Sequence, residues 1–336
     1  MILPANLLEK VFHTFDYRSL DNSSVCILGG TGFIGTWLVS AINYLNCHHR
    51  SQIDLTIYTR DRPSALKKFS PQEFPNLKVV EFDFLTGIRD LGEFDFFVNG
   101  STPTSSKPHG DSKHIFYHPT VNAVESIIYS ARKSRSLTRV VNLSSGAVYG
   151  HQSLSVPNQL EEDSVAFTEE LDDYSLAKIK SETTLTQARQ LKTLKSVSPR
   201  LFAFFGPGLP LDRHFAIGNF VQDGLNGQPI RIMGNPETKR SYMFPTDLTS
   251  WLLTALVNPI EGNFNVGSEI GISMFELATL VSGLTSSKGV EMLNRLEPAS
   301  NYVPSTTNFR QTFRVDQSVA LSEGLGWWID WLKNQR

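Results

Sequence analysis

The sequence predicts an α/β protein, a doubly wound parallel sheet followed by a smaller second lobe. Three observations predict it. Short apolar runs alternate with helix-periodic stretches up to about residue 205, the pattern of parallel strands joined by covering helices. The first of those runs enters a glycine turn, "LGGTGFIG", that opens at once into a helical stretch. After about residue 205, glycine and proline become frequent and the alternation breaks down.

Taken in order, "MILPANLLEKVFHTF" reads as a short amphipathic helix beside the first strand. It mixes charged and apolar residues and lacks the small-residue cleavage site of a signal peptide. "SVCILGG" is the first strand and "GTWLVSAINYLN" the helix after it. "IDLTIYTR", "LKVVEFDF" and "FDFFVNG" supply strands two to four. "NAVESIIYSARKS" is a helix, "RVVNLSSGAVYG" a fifth strand running into a loop, and "YSLAKIKSETTLTQARQLK" a long helix. Crossovers in such a sheet are right-handed. The first domain is expected over residues 1–205, with a strand and helix near 241–262 returning to it, and the second lobe over 206–336. "SVALSEGLGWWIDWLKNQR" reads as a closing amphipathic helix with its tryptophans against that lobe.

Bulk properties exclude several classes. With 31 basic and 33 acidic residues the net charge is −2, which gives no electrostatic footprint for nucleic acid or an anionic membrane. No stretch approaches the ~20 apolar residues that span a bilayer, and a cytoplasmic location is expected. Cys26 lies inside the first strand, so a buried reduced thiol is expected rather than a disulfide with Cys47. His48 and His49 read as a solvated loop without metal-spaced partners, and Glu161–Asp163 as a solvated charge run.

The glycine turn points to a dinucleotide. Gly29 permits the tight turn, Gly32 lets backbone N–H groups reach a pyrophosphate, and Gly35 lets the helix pack on the strand. Thr31, Phe33 and Ile34 fill the turn and the helix start, where the positive end of the helix faces the phosphates. An acid at the end of the second strand marks NAD; an arginine there suits the 2′-phosphate of NADP. Here Thr59 takes the place of the acid, followed by Arg60, Asp61 and Arg62. The reading favours NADP(H), with NAD(H) as the alternative if the strand ends two residues later and Asp61 becomes the ribose ligand. Tyr174 and Lys178, four apart at a helix start, project from one face. A neighbouring ammonium favours the phenolate and is expected to lower the tyrosine's pKa.

The spacing of "GGTGFIG", with "DDYSLAK" after a fifth strand, resembles the short-chain dehydrogenase/reductase superfamily. The likeness is to its extended branch of nucleotide-sugar epimerases, dehydratases and reductases, and it runs through nearly the whole chain. It implies a Rossmann-type sheet and a catalytic set of Ser145, Tyr174 and Lys178, the last two also touching the cofactor. Ser145 stands five residues before Gly150, where the family places the hydroxyl that bonds the reacting oxygen; Ser144 is the second candidate for substrate contact. The resemblance also implies adenine contact at Asp83, with Phe84 beside it, and a cofactor wall at Asn99, Gly100 and Ser101. "VNGST" (98–102) departs there from the family's His-Ala-Ala type loop. Arg240, in "RSYMFPTDL", falls near a substrate diphosphate, and "FNVGS" (264–268) matches a second-lobe segment. His214 and Asn219 fall either in the sugar-nucleotide pocket or in ordinary loop packing.

Gly146 and Ala147 occupy the positions where dehydratases of the branch carry an Asp-Glu pair and decarboxylases a glutamate. The function implied is therefore NADPH-dependent reduction of a nucleotide-linked 4-keto (deoxy)sugar, in making an unusual sugar for a surface polysaccharide. An NAD-dependent nucleotide-sugar 4-epimerase is the alternative, and a non-catalytic dinucleotide sensor the third. The resemblance further implies a homodimer through the helices near 120–134 and 174–192, using "SIIY" and "LAKI".

Overall fold

The structure, a computed structural model, describes residues 3–13, 15–103, 115–155, 158–161, 171–211, 215–293 and 298–335. In chain order the first stretch holds α1 (Ala5–Val11), β1 (Ser24–Leu28), α2 (Phe33–His48), β2 (Asp54–Thr59), α3 (Arg62–Lys68), β3 (Leu77–Glu81) and β4 (Phe96–Asn99). It continues with α4 (Tyr117–Lys133), β5 (Thr138–Asn142), β6 (Ser144–Ser145), α5 (Asp173–Ala188) and β7 (Leu194–Leu201). Then come β8 (Ala203–Phe204), α6 (Ala216–Leu225), β9 (Ile230–Ile232), β10 (Lys239–Met243), α7 (Pro245–Val257) and β11 (Gly262–Val266). The chain ends with β12 (Gly271–Ser273), α8 (Met274–Leu284), β13 (Val290–Met292), β14 (Asn301–Tyr302), α9 (Thr307–Phe313) and α10 (Leu321–Lys333).

The chain divides into two compact units. One comprises Met1–Gly150, Ser164–Leu201 and Thr249–Phe264; the other His151–Asp163, Phe202–Leu248 and Asn265–Arg336. The main sheet runs β11-β7-β5-β4-β1-β2-β3, with β6 also pairing β7. The pairs β1–β2, β1–β4, β2–β3, β4–β5 and β5–β7 are all parallel. Val25, Cys26, Ile27 and Leu28 of β1 are all buried, because a parallel sheet is covered on both faces and its central strands read as continuous apolar runs. Strand order reverses between β1 and β4, the place where open α/β sheets form a crevice at the carboxyl ends of their strands.

Helices α4 and α5 close one face of this unit. Ala123, Val124, Ile127 and Ile128 of α4 and Leu185 of α5 join Cys26, Leu28, Phe97 and Val140 in one cluster. The apolar "SIIY" face expected for subunit pairing is thus largely spent inside the chain; Tyr129 and Leu176 are the large apolar side chains that these two helices leave exposed. Two further local expectations are corrected. α1 packs on α2, with Phe12 stacked on Tyr44 at 5.9 Å, rather than beside β1. His48 and His49 are not a loop: His48 ends α2, His49 caps it, and their rings lie 4.3 Å from Tyr44 and 4.6 Å from Tyr17 respectively.

In the second unit β10 pairs β12 antiparallel and β8 and β14 in parallel, while β9 pairs β13. α10 buries Trp328 beside Phe205 and sets Trp327 edge-on to Phe244. Glu161 is not a solvated charge, because its carboxylate accepts from the Asn265 N–H and from Asn308 Nδ2. Glu162 and Asp163 lie outside the described residues.

Candidate active site

The site begins at the turn between β1 and α2. Gly29 sits at φ +80°, and a Cβ there would lie 2.1 Å from the Gly100 carbonyl oxygen, so the ends of β1 and β4 approach as only glycine permits. A Cβ on Gly35 would meet the Gly29 carbonyl at 2.4 Å, which is the close helix–strand contact expected of the third glycine. Gly32 is exposed, caps α2 without a side-chain bond, and its added Cβ would meet only Gly29 O at 3.4 Å. The Thr36 N–H is the first to find an acceptor within α2, at Gly32 O. The N–H groups of Phe33, Ile34 and Gly35 ahead of it lack intrahelical partners, an arrangement suited to phosphate. Lys68, which the sequence reading passed over, donates from α3 to the Thr31 carbonyl at 2.8 Å and adds a positive charge beside the turn. The turn therefore fits a dinucleotide pyrophosphate.

At the end of β2, Thr59 is half-buried and Arg60 exposed. β2 ends at Thr59, as the sequence suggests, and Asp61 is the N-cap of α3. Its two carboxylate oxygens accept from the N–H and hydroxyl of Ser64 at 2.9 and 2.7 Å. Arg62 turns the other way, donating to the Val79 carbonyl. Asp83 caps the short turn Phe84–Thr86 through the Leu85 N–H and stays half-buried. The Phe84 side chain belongs to the core, against Tyr58 and Phe82, which leaves only its backbone to face a cofactor.

Ser145, Tyr174 and Lys178 come together within the first unit. α5 starts at the Asp172 cap, which accepts from the Ser175 N–H. Its first two turns carry Tyr174 and Lys178 on one face, with Nζ 5.5 Å from the Tyr174 ring centroid. The Ser145 hydroxyl bears on the Tyr174 phenol and favours its phenolate, while Ser145 Oγ accepts from the Ala147 N–H. Lys178 is buried, and its Nζ donates to Thr102 Oγ1 at 2.8 Å and the Leu143 carbonyl at 2.5 Å. Burial pulls this lysine down to about 7, against a smaller upward pull from Glu182. The Tyr174 phenol is not lowered as expected. Burial raises it, the Ser145 hydroxyl opposes the rise and the Asp172 carboxylate adds to it. Desolvation of the phenolate is the largest of these effects.

Two buried networks behind this set were not foreseen. Glu182 and Arg200 pair at 2.8 Å with both side chains 5% exposed. Ser144 donates to Glu182 Oε1 at 2.5 Å, Asn263 to Oε2 at 3.0 Å, and Arg200 to the Tyr149 hydroxyl at 2.8 Å. The pairing holds the Arg200 pKa above its ordinary value although burial opposes it. Ser144 is therefore buried, with its hydroxyl committed to Glu182. In the second network Asn99 Nδ2 donates to Asn142, whose own amide bonds Ser181 and Ser198, and Ser101 Oγ donates back to Asn99. Asn99 thus turns its side chain into the sheet, while Gly100 and Ser101 remain at its edge. No sequence signal marks either network, since, Ser101 and Asn99 aside, the partners lie 18 to 81 residues apart.

Three expected substrate residues belong to the second unit. Arg240 is engaged by Ser300 Oγ at 3.0 Å and lies 5.5 Å from the Tyr302 ring centroid. Asn219 is half-buried on α6, and His214 lies outside the described residues. No group of three or more metal-ligating side chains occurs among the described residues, and no described helix is long and apolar enough to cross a membrane.

Residues 25–267 match the NAD dependent epimerase/dehydratase family. The chain belongs to that family. It is similar to UDP-glucuronic acid decarboxylase 1 of Arabidopsis thaliana, 22% identical over 90% of this chain and 68% of the plant protein, about two thirds of that relative's length. It is similar also to the dTDP-4-dehydro-6-deoxyglucose reductase of Escherichia coli, 27% identical over 80% of this chain and 84% of the relative. Among solved structures, the UDP-N-acetylglucosamine 4-epimerase of Methanobrevibacter ruminantium M1 superposes with a TM-score of 0.79 at 18% identity. That match covers 94% of this chain and all of the other, and it shares the fold. The family member described here is a nucleotide-sugar-modifying enzyme on a Rossmann-type sheet.

Proposed function

We propose that this enzyme reduces the ketone of a nucleotide-linked 4-keto sugar with NADPH, Tyr174 supplying the proton. The observation that carries the reading is the Ser145 and Tyr174 side chains set beside one another and beside Lys178, with one strand, β4, between β5 and the β1 that enters the glycine turn. A bound nicotinamide supplies the hydride. As negative charge develops on the substrate oxygen, Ser145 and Tyr174 are preorganised donors toward it, where such donors contribute most. A phenol whose pKa is raised by burial holds its proton until the oxygen demands it, which suits reduction. Gly146 and Ala147, in the short turn after β6, bring no carboxylate to this wall, and that supports reduction over elimination or decarboxylation. The likeness to the Escherichia coli reductase supports the same substrate class.

NADPH is favoured over NADH because Thr59 replaces an acid at the β2 end, Asp61 spends both oxygens on Ser64, and Arg60 is exposed beside them. Arg240 would hold the substrate diphosphate. We also infer a homodimer through α4 and α5, seeded by the exposed Tyr129 and Leu176.

The test is NADPH oxidation in the presence of nucleotide-linked 4-keto sugars. Tyr174→Phe should lower kcat by about 10²–10⁴-fold while NADPH still binds in a fluorescence titration. Arg60→Glu should weaken NADPH far more than NADH. Purified protein that retains NAD and interconverts two sugar epimers without added cofactor would overturn the reductase reading in favour of the epimerase.

A further inference from the structure

The stretch "VNGST", which departs from the family's usual loop, is left unexplained by the cofactor wall. Its last residue supplies an explanation. Thr102 is buried after β4, and its Oγ1 accepts from Lys178 Nζ at 2.8 Å. On its other side Thr102 Oγ1 lies 2.9 Å from Thr120 Oγ1, on the first turn of α4, which is also buried. Thr120 donates in turn to the Phe116 carbonyl at 2.7 Å.

The directions of these bonds follow from counting protons. A hydroxyl has one proton to give. Thr120 gives its proton to Phe116, so in the Thr102–Thr120 contact Thr102 is the donor. Thr102 then has no proton left for Lys178 and meets it as an acceptor only. The Leu143 carbonyl on the other side of the amine is likewise an acceptor only. The chain runs one way, from Lys178 to Thr102 to Thr120 to Phe116, and its polarity favours three protons on the lysine nitrogen.

We propose that Thr102 and Thr120 are positioning residues, an ordered hydroxyl pair that holds the Lys178 amine in place beside Tyr174 and favours its protonated form against the opposing pull of burial. The proposal rests on the reading of Ser145, Tyr174 and Lys178 as the reacting set. Among the described residues, the titratable groups that bear on Lys178 are Glu182 and Tyr174, both on α5, and Glu182 is itself paired with Arg200. Asp173, at the start of the same helix, accepts from the Phe116 and Tyr117 N–H groups. The contacts from β4, α4 and the end of β5 are neutral, so the hydroxyl chain is the part of the surroundings that can be removed without moving a charge.

The experiment titrates Lys178 in the full chain without cofactor. Protein labelled with [13C]lysine is followed by NMR at the lysine Cε resonance, assigned by its loss in Lys178→Arg. Thr102→Val should lower the midpoint by about one pH unit, the size of a lost hydrogen bond to a charged group. Thr102→Ser, which keeps the hydroxyl, should restore it. Thr120→Val should lower it less, because Thr102 loses only the partner that fixes its direction. The double variant should match Thr102→Val alone, since Thr120 acts through Thr102. An unchanged midpoint in a folded Thr102→Val protein overturns the proposal, and so does a double variant that sums the two single shifts. If Thr102→Val does not fold, Thr120→Val carries the test, and an unchanged midpoint there is decisive against it. Loss of the reductase reading would appear as full turnover in Tyr174→Phe and leaves the lysine titration untouched, so the two failures are distinguishable.

Discussion

The glycine turn after β1 and the side-chain wall at the ends of β4, β5 and β6 stand in one sheet but are built on opposite principles. The turn works by removing side chains. Gly29, Gly32 and Gly35 bring backbone against backbone and leave N–H groups facing outward. The wall works by burying polar side chains, namely Asn99, Asn142, Ser144, Lys178, Glu182 and Arg200, and satisfying each from a different element. The turn tolerates change wherever a Cβ has room, whereas the wall tolerates little, because removing one member strands another in a dry interior.

The largest expected effect belongs to the wall. Arg200→Leu leaves Glu182 charged, buried and with Ser144 and Asn263 as its remaining partners, at a cost of about 3–5 kcal/mol. Replacing Glu182 and Arg200 together by methionine should be less destabilising than either single change, since the uncompensated charge disappears with its partner. Urea unfolding at pH 7 measures both. A double variant that costs the sum of the two would mean that the pair acts through packing and not through charge, and the contrast with the turn would weaken.

The turn gives the next effect and splits it in two. Gly35→Ala forces a Cβ to within 2.4 Å of the Gly29 carbonyl and should cost about 2 kcal/mol even though alanine favours a helix. Gly32→Ala meets only one atom at 3.4 Å and should leave the thermal midpoint nearly unchanged. Because Gly32 faces outward at the helix start, the same change should weaken binding of the nicotinamide dinucleotide by roughly tenfold, about 1.4 kcal/mol. If both alanines act on stability alone, the turn is a packing device and the dinucleotide argument loses its foundation.

This contrast also explains what could be read in the sequence. The strand–helix alternation, the glycine turn, the end of β2 at Thr59 and the Tyr174–Lys178 spacing are local patterns, written within a few residues of each other. The bond from Ser144 to Glu182 is not legible because the two stand 38 residues apart, nor is the bond from Lys178 to Thr102, 76 apart. Nothing in the periodicity of α5 distinguishes a buried Glu182 from a solvated one. The raised pKa of Tyr174 was missed for a related reason. Two residues on one helix face suggest an ammonium acting on a phenol, but the burial that outweighs it is a property of the whole packed unit. In the same way the "SIIY" stretch shows an apolar stripe without showing that Ile127 and Ile128 are needed inside the chain.

The smallest expected effect is a slope, and it too separates the two regions. The turn contains no titratable side chain, while the wall contains a lysine held at about 7 by burial against an ordinary value of 10.5. Below pH 7 both the folded and unfolded chains carry a proton on Lys178, and the cost of burying that charge is fully present. Between about pH 7 and 10.5 the unfolded chain still holds the proton and the folded chain has released it. The unfolded state binds more protons in that window, so stability should rise with pH there by roughly 1 kcal/mol for each pH unit. Lys178→Met removes the group from both states and should abolish this part of the slope, so that the variant's stability relative to the unmodified chain falls as pH is raised from 7 to 9. Urea midpoints for the two proteins at pH 7, 8 and 9 make the comparison. Parallel curves would mean that the folded lysine keeps an ordinary pKa, and the wall would then owe its stability to hydrogen bonds alone.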